Sequence, residues 1–417
     1  MTVYIGMDWD SKFLKCYWTV GENKPTKLII EEPSTEEVQA KIQKIRELHP
    51  QGTEIHAIIE AGGEQWVRLL YVNNVKVHVV NPKKAKRFKE SIFASMAKDD
   101  FRDALALLAM IQSPAHKTDP WKPPNELQKM INQFATMHES ATKDQSKIKQ
   151  QFRSYLQTYL PMLKGLIKDL SAEWVLYFFE KVPSLTATSK LSKRRYDSIM
   201  SKTRLGSDKK ERFWAGIQAC DLSLASKETA DLEAMRVHMW VKQLRLYHNY
   251  LQKLNKEIKK TLDALPLTKS IKSIKGVGPI LTILLFHCAG FENPSHRDEL
   301  SIKLGASPVF IGSGTSRSGK PKGHVRMRKT VSSTSKRLTY LIGLQLTKHS
   351  RWAKAMYQNA KSRNQRTGTI YRRISRSFLR IVSSMMKNGT AYDEERYIQA
   401  LVKNGVPWAQ TLQSKAT

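Results

Sequence analysis

Residues 2–9 read TVYIGMDW and residues 54–60 read EIHAIIE, and each of these short apolar runs brings an acidic residue to its end. Over residues 1–33, apolar and polar residues alternate in three segments joined by tight turns, which predicts three short β-strands. The second run predicts a fourth strand. Asp8 is therefore expected at the end of the first strand and Glu60 at the end of the fourth.

The rest of the first 115 residues predicts one more strand and four helices. The first helix is expected from Ser34-Thr35 to about residue 48, and the second begins after Gly62-Gly63. The third runs from Asn81-Pro82 to about residue 93, and the fourth covers about 98–112. The strand is expected over 75–80. The resulting order, βββαβαβα with one further helix at its end, is that of an RNase H-like domain, in which helices cover a mixed sheet. We therefore expect an α/β domain of this class over residues 1–115.

The remainder of the chain predicts helices. A proline-containing stretch at 114–124 leads from the first domain into a helical region over residues 116–265. In this region six residues repeat at steps of four and three: Trp240, Leu244, Tyr247, Leu251, Leu254 and Ile258. The spacing suits an a/d seam, which serves either a coiled-coil contact between two chains or one helix of a bundle. Residues 266–417 form a third, mainly helical segment with a Gly/Ser/Lys-rich loop at 305–329.

The charge of the chain indicates its class of partner. It carries 70 Lys and Arg against 37 Asp and Glu, a net charge of +33. Nucleic acid is the natural partner, because each neutralised phosphate releases counterions. An anionic membrane surface is the rival, but we find no transmembrane run, signal peptide or lipidation motif. The three cysteines form no CxxC pair, which argues against a disulfide framework or a zinc site and favours a reducing, cytoplasmic location.

Four carboxylates stand where the predicted sheet brings them together. Asp8 and Glu60 end two strands, while Asp100 and Asp103 lie three residues apart on one helix and so share a face. Two Mg²⁺ ions about 4 Å apart can clamp the attacking and leaving oxygens of a phosphodiester. Such ions need several hard oxygen ligands. The acids therefore predict a Mg²⁺ (or Mn²⁺) centre, against the ordinary interpretation of each single acid as a solvated surface group.

The motifs around these acids resemble the DEDD RuvC-like domain of the insertion-sequence one-ten transposase family. Four segments carry the resemblance: GMDWDSK at 6–12, EAGG at 60–63, VNPK at 80–83 and DDFRDA at 99–104. They are similar to the family's G-x-D-x-S/A-K strand, its E-A-T/S-G segment, its N-P turn before a basic helix and its T-D-x-x-D-A helix start. The first segment has one extra residue, and Gly62 and Asp99 replace threonines of the pattern. These departures touch neighbours of the four acids and leave the acids in place.

The last third of the chain resembles the second half of the same family. IKGVGP at 274–279 is similar to its I-P-G-I-G-P turn between helices, LGASP at 304–308 to its L-G-L-x-P stretch, and GSGTS at 312–316 to its x-S-G-T-S loop. The resemblance covers roughly residues 1–115 and 265–385. It implies a C-terminal transposase domain with a helix-turn-helix-like GVGP motif, whose backbone N–H groups point at a phosphate.

The resemblance also implies a mechanism and a set of partners. Ser313, on which the family's nucleophilic serine falls, attacks a DNA phosphate and forms a phosphoserine link that retains the bond energy for rejoining. Metal ions held by the four acids polarise that phosphate. The implied partners are donor and target DNA and a guide (bridge) RNA, and the implied assembly is a homodimer or homotetramer away from the membrane. Acids and serine from different subunits would then make one composite site.

Basic residues gather in patches that we expect to contact phosphates, which carry little sequence information. The residues expected to bind nucleic acid, with the two turn glycines, are Lys83, Lys84, Lys86, Arg87, Gly276, Gly278, Arg317, Lys320, Lys322, Arg326, Arg328, Arg372, Arg373 and Arg376. Two other interpretations stay open. In the first, the four acids form a RuvC-like nuclease or junction resolvase and Ser313 is incidental. In the second, the chain binds nucleic acid and has no catalytic activity.

Overall fold

The computed structural model describes residues 2–21, 23–93, 99–114, 119–223, 225–290, 294–312, 323–328 and 331–413. The chain divides into two compact units. Unit 1 holds Met1–Asn125 and Arg328–Val331, and unit 2 holds Glu126–Met327 and Ser332–Thr417. The predicted boundary near residue 265 therefore does not coincide with a division between compact units.

Unit 1 is built on a five-stranded mixed sheet. Its strands are β1 (Thr2–Trp9), β2 (Leu14–Val20), β3 (Thr26–Ile30), β4 (Glu54–Glu60) and β5 (Lys76–Val80). They lie in the order β3-β2-β1-β4-β5. β1 runs antiparallel to β2 and parallel to β4, which in turn runs parallel to β5. Parallel neighbours place the carboxyl ends of β1, β4 and β5 at one edge of the sheet.

Four helices cover this sheet: α1 (Thr35–Glu47), α2 (Glu64–Val72), α3 (Pro82–Ile92) and α4 (Asp100–Gln112). Three of them start at a side-chain cap, because Ser34, Asn81 and Asp99 each accept a hydrogen bond from a backbone N–H of the first turn. The predicted α/β pattern of strands and helices is thus present in this part of the chain.

The sheet is buried on both faces, as the alternation along β4 shows. Ala57 and Ile59 point into a core shared with residues of α1 and α2. Ile58 points the other way, into a core shared with residues of α3 and α4. Alternate side chains of a strand face opposite sides of a sheet, so unit 1 has three layers, with one helix pair on each face.

In the described residues of unit 2, helices account for all regular structure except the strand pair near residues 308–327. Its helices are α5 (Glu126–Tyr159), α6 (Glu173–Lys181), α7 (Leu185–Ser189), α8 (Lys193–Ser201), α9 (Ser207–Gln218), α10 (Lys227–Asp263), α11 (Pro266–Lys272), α12 (Pro279–Ala289), α13 (Glu299–Lys303), α14 (Ser333–His349), α15 (Arg351–Ser362), α16 (Thr367–Asn388), α17 (Glu394–Lys403) and α18 (Pro407–Gln413). In the parts of the chain that the structure describes, no helix combines the length and apolar character that a membrane span requires.

The long helices α5 and α10 run through two hydrophobic cores. Trp240 and Leu244 of α10 pack in the core formed with α6 to α9, and Leu254 and Ile258 pack in the core formed with α12, α14 and α16. Four residues of the heptad seam are therefore buried inside unit 2. This packing supports the bundle interpretation of the seam over the coiled-coil contact between chains.

The loop predicted at 305–329 contains an antiparallel hairpin. Its strands are β6 (Pro308–Ile311) and β7 (His324–Met327), paired from Pro308 with Met327 to Ile311 with His324. The prediction of a loop over 305–329 was therefore wrong at Pro308–Ile311 and His324–Met327. Glycine, serine and lysine dominate its composition and conceal the strand-forming run that follows Pro308.

Candidate functional site

Asp8 and Glu60 lie side by side at the carboxyl edge of the sheet. β1 and β4 pair in parallel up to Met7 opposite Ile59, so the next residue of each strand is an acid. Both side chains are half-buried. Burial raises the pKa of Glu60 above its usual value. The structure thus brings together the two acids that were predicted at strand ends.

Gly6 allows α4 to approach this edge. A Cβ atom at Gly6 would lie 2.1 Å from the carbonyl oxygen of Ala104 and 2.3 Å from the backbone nitrogen of Leu108. The backbone of α4 therefore lies directly on β1, at a distance that only glycine permits. Asp103 precedes Ala104 in the chain, and so this contact places the first turn of α4 beside Asp8.

Asp100 and Asp103 occupy that first turn. The unpaired N–H groups at a helix start favour nearby negative charge. Asp99 caps the helix, because its side chain accepts a hydrogen bond from the backbone N–H of Phe101 at 3.1 Å. A threonine can serve the same cap, which explains why the departure at this position is tolerated.

Two lysines, absent from the predicted site, neutralise the acids of α4. Lys15 stands opposite Asp8 in the β1–β2 ladder, and its Nζ lies 2.6 Å from Oδ2 of Asp100. Lys89 of α3 forms an ion pair with Asp103. The antiparallel register places Lys15 at the carboxyl edge, but its reach to Asp100 depends on the packing of α4.

The pKa of the Asp8 carboxyl is raised to about 6. Burial is the main cause, and the negative charges of Asp100 and Glu60 act in the same direction against the lowering effect of Lys89 and Lys15. Mutual repulsion of this kind shows that the acids share one electrostatic environment. Titratable groups with displaced pKa values gather at functional sites, although ion-pair networks displace them too.

The donor set suits Mg²⁺ or Mn²⁺ in its chemistry. Carboxylate oxygens are hard ligands, and a dication would offset both the burial and the repulsion that raise the pKa of Asp8. Among the residues described, no three His, Cys, Asp or Glu side chains stand in an arrangement ready to hold a metal ion. Lys15 and Lys89 would have to release Asp100 and Asp103 before these carboxylates could turn to a cation.

Trp9 explains the departure at Gly62. Gly62 has a φ of +119°, and a Cβ atom there would lie 2.6 Å from Cζ2 of the Trp9 ring. The ring also lies on Gly63, where a Cβ atom would be 3.0 Å from its Cγ. A threonine at position 62 would meet both the strained backbone and the indole. Trp9 of the first motif and the glycine pair of the second therefore fit each other.

The basic residues of α3 present an exposed face. Lys83, Lys86 and Arg87 are exposed, and Lys84 is half-buried. Lys86 lies 4.0 Å from Glu90, one turn later on the same exposed surface. These side chains form a basic face on the helix that also carries Lys89, and the nucleic-acid contact expected of them stays a prediction.

The predicted residues of the serine loop are only partly described. Ser313, Arg317, Lys320 and Lys322 lie outside the described residues. Arg326 is exposed on β7, and Arg328, which follows the strand, is half-buried.

The glycine-rich turn lies between α11 and α12, as the GVGP motif predicts. Gly278 precedes Pro279 at the start of α12, and the backbone carbonyl of Gly278 accepts the N–H of Thr282 at 3.1 Å. Gly276 packs on α14, where a Cβ atom would lie 2.9 Å from Cδ2 of His349. The turn thus opens a helix with N–H groups at its start, the feature that phosphates recognise.

The arginines of α16 divide into two groups. Arg373 is exposed and Arg372 half-buried, which leaves both open to a polyanion. Arg376 lies 3.6 Å from Asp298, which precedes α13. Arg380 donates two hydrogen bonds, of 2.6 Å and 2.8 Å, to the same carboxylate. Arg376 therefore has a structural partner in addition to the nucleic-acid contact predicted for it.

Asp298→Asn is expected to destabilise unit 2 by about 2 kcal/mol at pH 7, the size of a charged hydrogen-bonding contact. The Arg380 guanidinium holds the pKa of Asp298 well below its usual range. The stabilisation is therefore complete above the unfolded pKa of about 3.9 and is lost as the pH falls below it. Melting temperatures measured from pH 7 to pH 2 should show the gap between wild type and variant closing below about pH 4.

Asp231→Asn, an exposed acid of α10, is the matched control and should leave the melting temperature nearly unchanged. A gap that keeps the same size down to pH 2 would show that the Asp298 charge does not stabilise the fold.

Comparison with known proteins supports a relationship to transposases. Residues 5–161 match the family model of the DEDD transposase domain of the IS110 (insertion-sequence one-ten) group, described as a transposase. The matched residues include all four acids, most of unit 1 and α5. They make up less than half of the chain.

Two curated proteins are similar over a comparable length. “Putative transposase y4uE” of Sinorhizobium fredii is 26% identical over 162 residues, which are 37% of this chain and 43% of that protein. “Mini-circle putative transposase for IS117” of Streptomyces coelicolor is 25% identical over 166 residues, 39% of each chain. The chain thus spans about two fifths of the length of these relatives.

Proposed function

We propose that this chain is a DNA transposase or recombinase whose unit 1 is an RNase H/RuvC-like domain with a Mg²⁺- or Mn²⁺-dependent acidic centre. The observation that carries the proposal is the arrangement of the four acids. Asp8 and Glu60 end adjacent parallel strands, and the contact at Gly6 sets the first turn of α4 beside them. The transposase match over residues 5–161 supports the same assignment.

Each group in this centre has a separate task. Asp8, Glu60, Asp100 and Asp103 would hold the cations, which when bound polarise the phosphate and stabilise the leaving oxygen. Lys15 and Lys89 balance the charge of the α4 acids and orient them before substrate arrives. The exposed basic face of α3 holds the phosphates that flank the reacting one.

The nucleophile in this proposal is Ser313. Its Oγ loses a proton and bonds to the phosphorus, while the bond from phosphorus to a sugar oxygen breaks and that oxygen takes up a proton. A hydroxyl of a second DNA strand then reverses the step and releases the serine. One phosphodiester is exchanged for another, so the reaction needs no external energy source. The sequence resemblance alone supports this role.

The partners follow from the charge and the resemblance. A net charge of +33 is suited to more than one polyanion, and donor DNA, target DNA and a guide RNA would share it. In unit 2, the contacts to nucleic acid would be made by Gly276 and Gly278 and by the arginines of the β6–β7 hairpin and of α16. We include a homodimer or homotetramer in the proposal, in which acids and serine of different subunits form one site.

The covalent intermediate provides the test of this function. The protein, co-expressed with its RNA, is incubated with labelled element-end DNA and Mg²⁺ and run on a denaturing protein gel. We expect label at the mass of the protein for wild type and for Ser318→Ala, a matched change in the same loop, and none for Ser313→Ala. Cleaved DNA without a labelled protein band, unaffected by Ser313→Ala, would instead establish a metal-dependent nuclease. Binding without cleavage at any Mg²⁺ concentration would establish the inactive alternative.

A further inference from the structure

A cavity of about 820 Å³ lies in unit 2 between α16 and α17, and its described lining includes no residue of the GVGP turn. Three arginines from different segments line it: Arg297 precedes α13, Arg380 is on α16 and Arg396 is on α17. Its volume lies within the range of pockets that hold small organic ligands, about 300–1,000 Å³. The convergence of three guanidinium groups on one cavity indicates an anionic ligand.

Among the described residues that line this cavity, three are arginines and one, Asp393, is an acid, so positive charge prevails there. Asp298 is engaged by Arg380, and the Asp393 carboxylate caps α17 by accepting the backbone N–H of Arg396. Arg396 is exposed, and the described part of the chain offers its guanidinium no ion-pair partner. Arg297, 72% exposed, lies 4.0 Å from Asp298, at the limit of an ion pair. Two cations at the rim therefore remain open to a ligand.

The wall behind the arginines is apolar and aromatic. Ile381, Met385 and Leu401 line it together with Tyr397. The Tyr397 ring is held edge-on against Trp352, with ring centres 5.2 Å apart. Trp352 Nε1 also donates a 2.8 Å hydrogen bond to the hydroxyl of Tyr392, another lining residue. Aromatic rings fixed in this way suit the face of a nucleobase.

We propose that this cavity binds one unstacked nucleotide of a nucleic acid, with the base against Tyr397 and the flanking phosphates at Arg297 and Arg396. A ligand that is anionic at one end and flat and apolar at the other matches both the rim and the wall. The inference rests on the nucleic-acid substrate of the proposed function but not on its chemistry. In this proposal α16 and α17 recognise an unpaired nucleotide. Contacts to phosphates alone would bind any duplex, whatever its sequence.

Fluorescence anisotropy with labelled hairpins provides the test. The probes are a fully paired hairpin, one with a single bulged nucleotide and one with an abasic bulge, each made in DNA and in RNA. We expect the full-length wild type to bind the bulged hairpin about 10-fold more tightly than the abasic one, within the range that stacking of one base contributes. The DNA and RNA series show which polymer supplies the nucleotide.

Three variants separate the pocket from general charge. Arg297→Ala/Arg396→Ala removes the rim cations, and Ala400→Trp fills the cavity without a change of charge. Both should abolish the preference for the bulged base. Lys253→Ala/Lys256→Ala, which removes two exposed cations of α10, should weaken all probes equally and keep the preference.

The possible outcomes are distinct. If wild type binds bulged and abasic hairpins equally, or if the two pocket variants behave like the α10 control, the inference is wrong while the proposed function stands. If wild type binds none of the probes, both the inference and the nucleic-acid substrate fail. Loss of the preference in both pocket variants, with intact binding to the paired hairpin in Ala400→Trp, supports the pocket.

Discussion

Asp8→Asn is expected to lower the rate of DNA-strand cleavage by more than about 100-fold. Removing a second-shell partner of a metal ligand already reduces activity or affinity by about 10–100-fold, and a direct ligand contributes more. Burial, together with the negative charges of Asp100 and Glu60, raises the pKa of Asp8 to about 6. The variant removes one of the four carboxylates that are proposed to hold the cations. Cleavage of labelled DNA under single-turnover conditions measures the effect.

The same variant should keep its fold. Because the pKa of Asp8 is raised, ionisation of its carboxyl destabilises the folded state relative to the unfolded chain. The destabilisation begins above about pH 4 and grows up to about pH 6. Asparagine carries no charge to bury or repel, so in EDTA at pH 8 the variant should melt at or above the wild-type temperature, and at pH 4 the two should agree. Glu64→Gln, an exposed acid of α2, is the matched control and should cleave at the wild-type rate. Wild-type cleavage by Asp8→Asn would contradict the assignment.

Gly6→Ala is expected to have an effect of similar size on activity for a geometric reason. The added methyl would meet the Ala104 carbonyl oxygen at 2.1 Å, and both contacts closest to it are backbone atoms of α4, which cannot rotate away. Overpacking typically destabilises a protein by about 1–3 kcal/mol, and a clash with backbone lies at or above the top of that range. Displacing α4 by about 1 Å would move Asp103 and reduce cleavage by about 100-fold.

Hydrogen exchange measures this displacement locally. We expect faster exchange in peptides covering α4 in Gly6→Ala and an unchanged pattern in α10. Gly368→Ala is the control, because a Cβ placed on that residue of α16 would meet no described atom within 4 Å beyond its chain neighbours and its own helix backbone. It should be neutral or slightly stabilising. An active Gly6→Ala protein with wild-type exchange in α4 would show that the helix does not depend on this contact.

The α/β architecture of unit 1 could be predicted because local signals agree there. Alternation along β1 and β2, and the side-chain caps at Ser34 and Asn81, each specify one element, and the structure confirms them. The strand-end positions of Asp8 and Glu60 follow from the same pattern. That the two strands are neighbours depends on the order β3-β2-β1-β4-β5, which the resemblance implies and no single segment contains.

The sequence could not show which cations meet the acids. Lys15 and Lys89 belong to different elements, and their partners lie 85 and 14 residues away along the chain. Both contacts depend on where α4 lies on the sheet, which Gly6 decides. A glycine in a strand ordinarily indicates a bulge or a close backbone approach, and only the three-dimensional structure shows that the approaching element is α4.

The organisation of unit 2 was also beyond local patterns. The seam from Trp240 to Ile258 is compatible with two kinds of partner, and the burial of Trp240, Leu244, Leu254 and Ile258 within the chain distinguishes them. The division near residue 265 was expected from Leu265-Pro266, yet Pro266 starts α11 while Leu262 of α10 shares a core with Ile271. Proline is well tolerated in the first turn of a helix, so it need not mark a domain boundary.

The most direct test of the proposed divalent-cation centre is the binding of Mn²⁺. Isothermal titration calorimetry measures this binding with and without element-end DNA. Wild type and Glu64→Gln should bind the ion, and binding should be lost when Asp8 and Asp103 are both changed to asparagine. These two acids belong to β1 and α4, so their joint loss leaves Glu60 and Asp100 as the remaining two of the four proposed ligands. Equal Mn²⁺ binding by all three proteins, or none by wild type even with DNA present, would contradict the claim that this edge of the sheet is a divalent-cation centre.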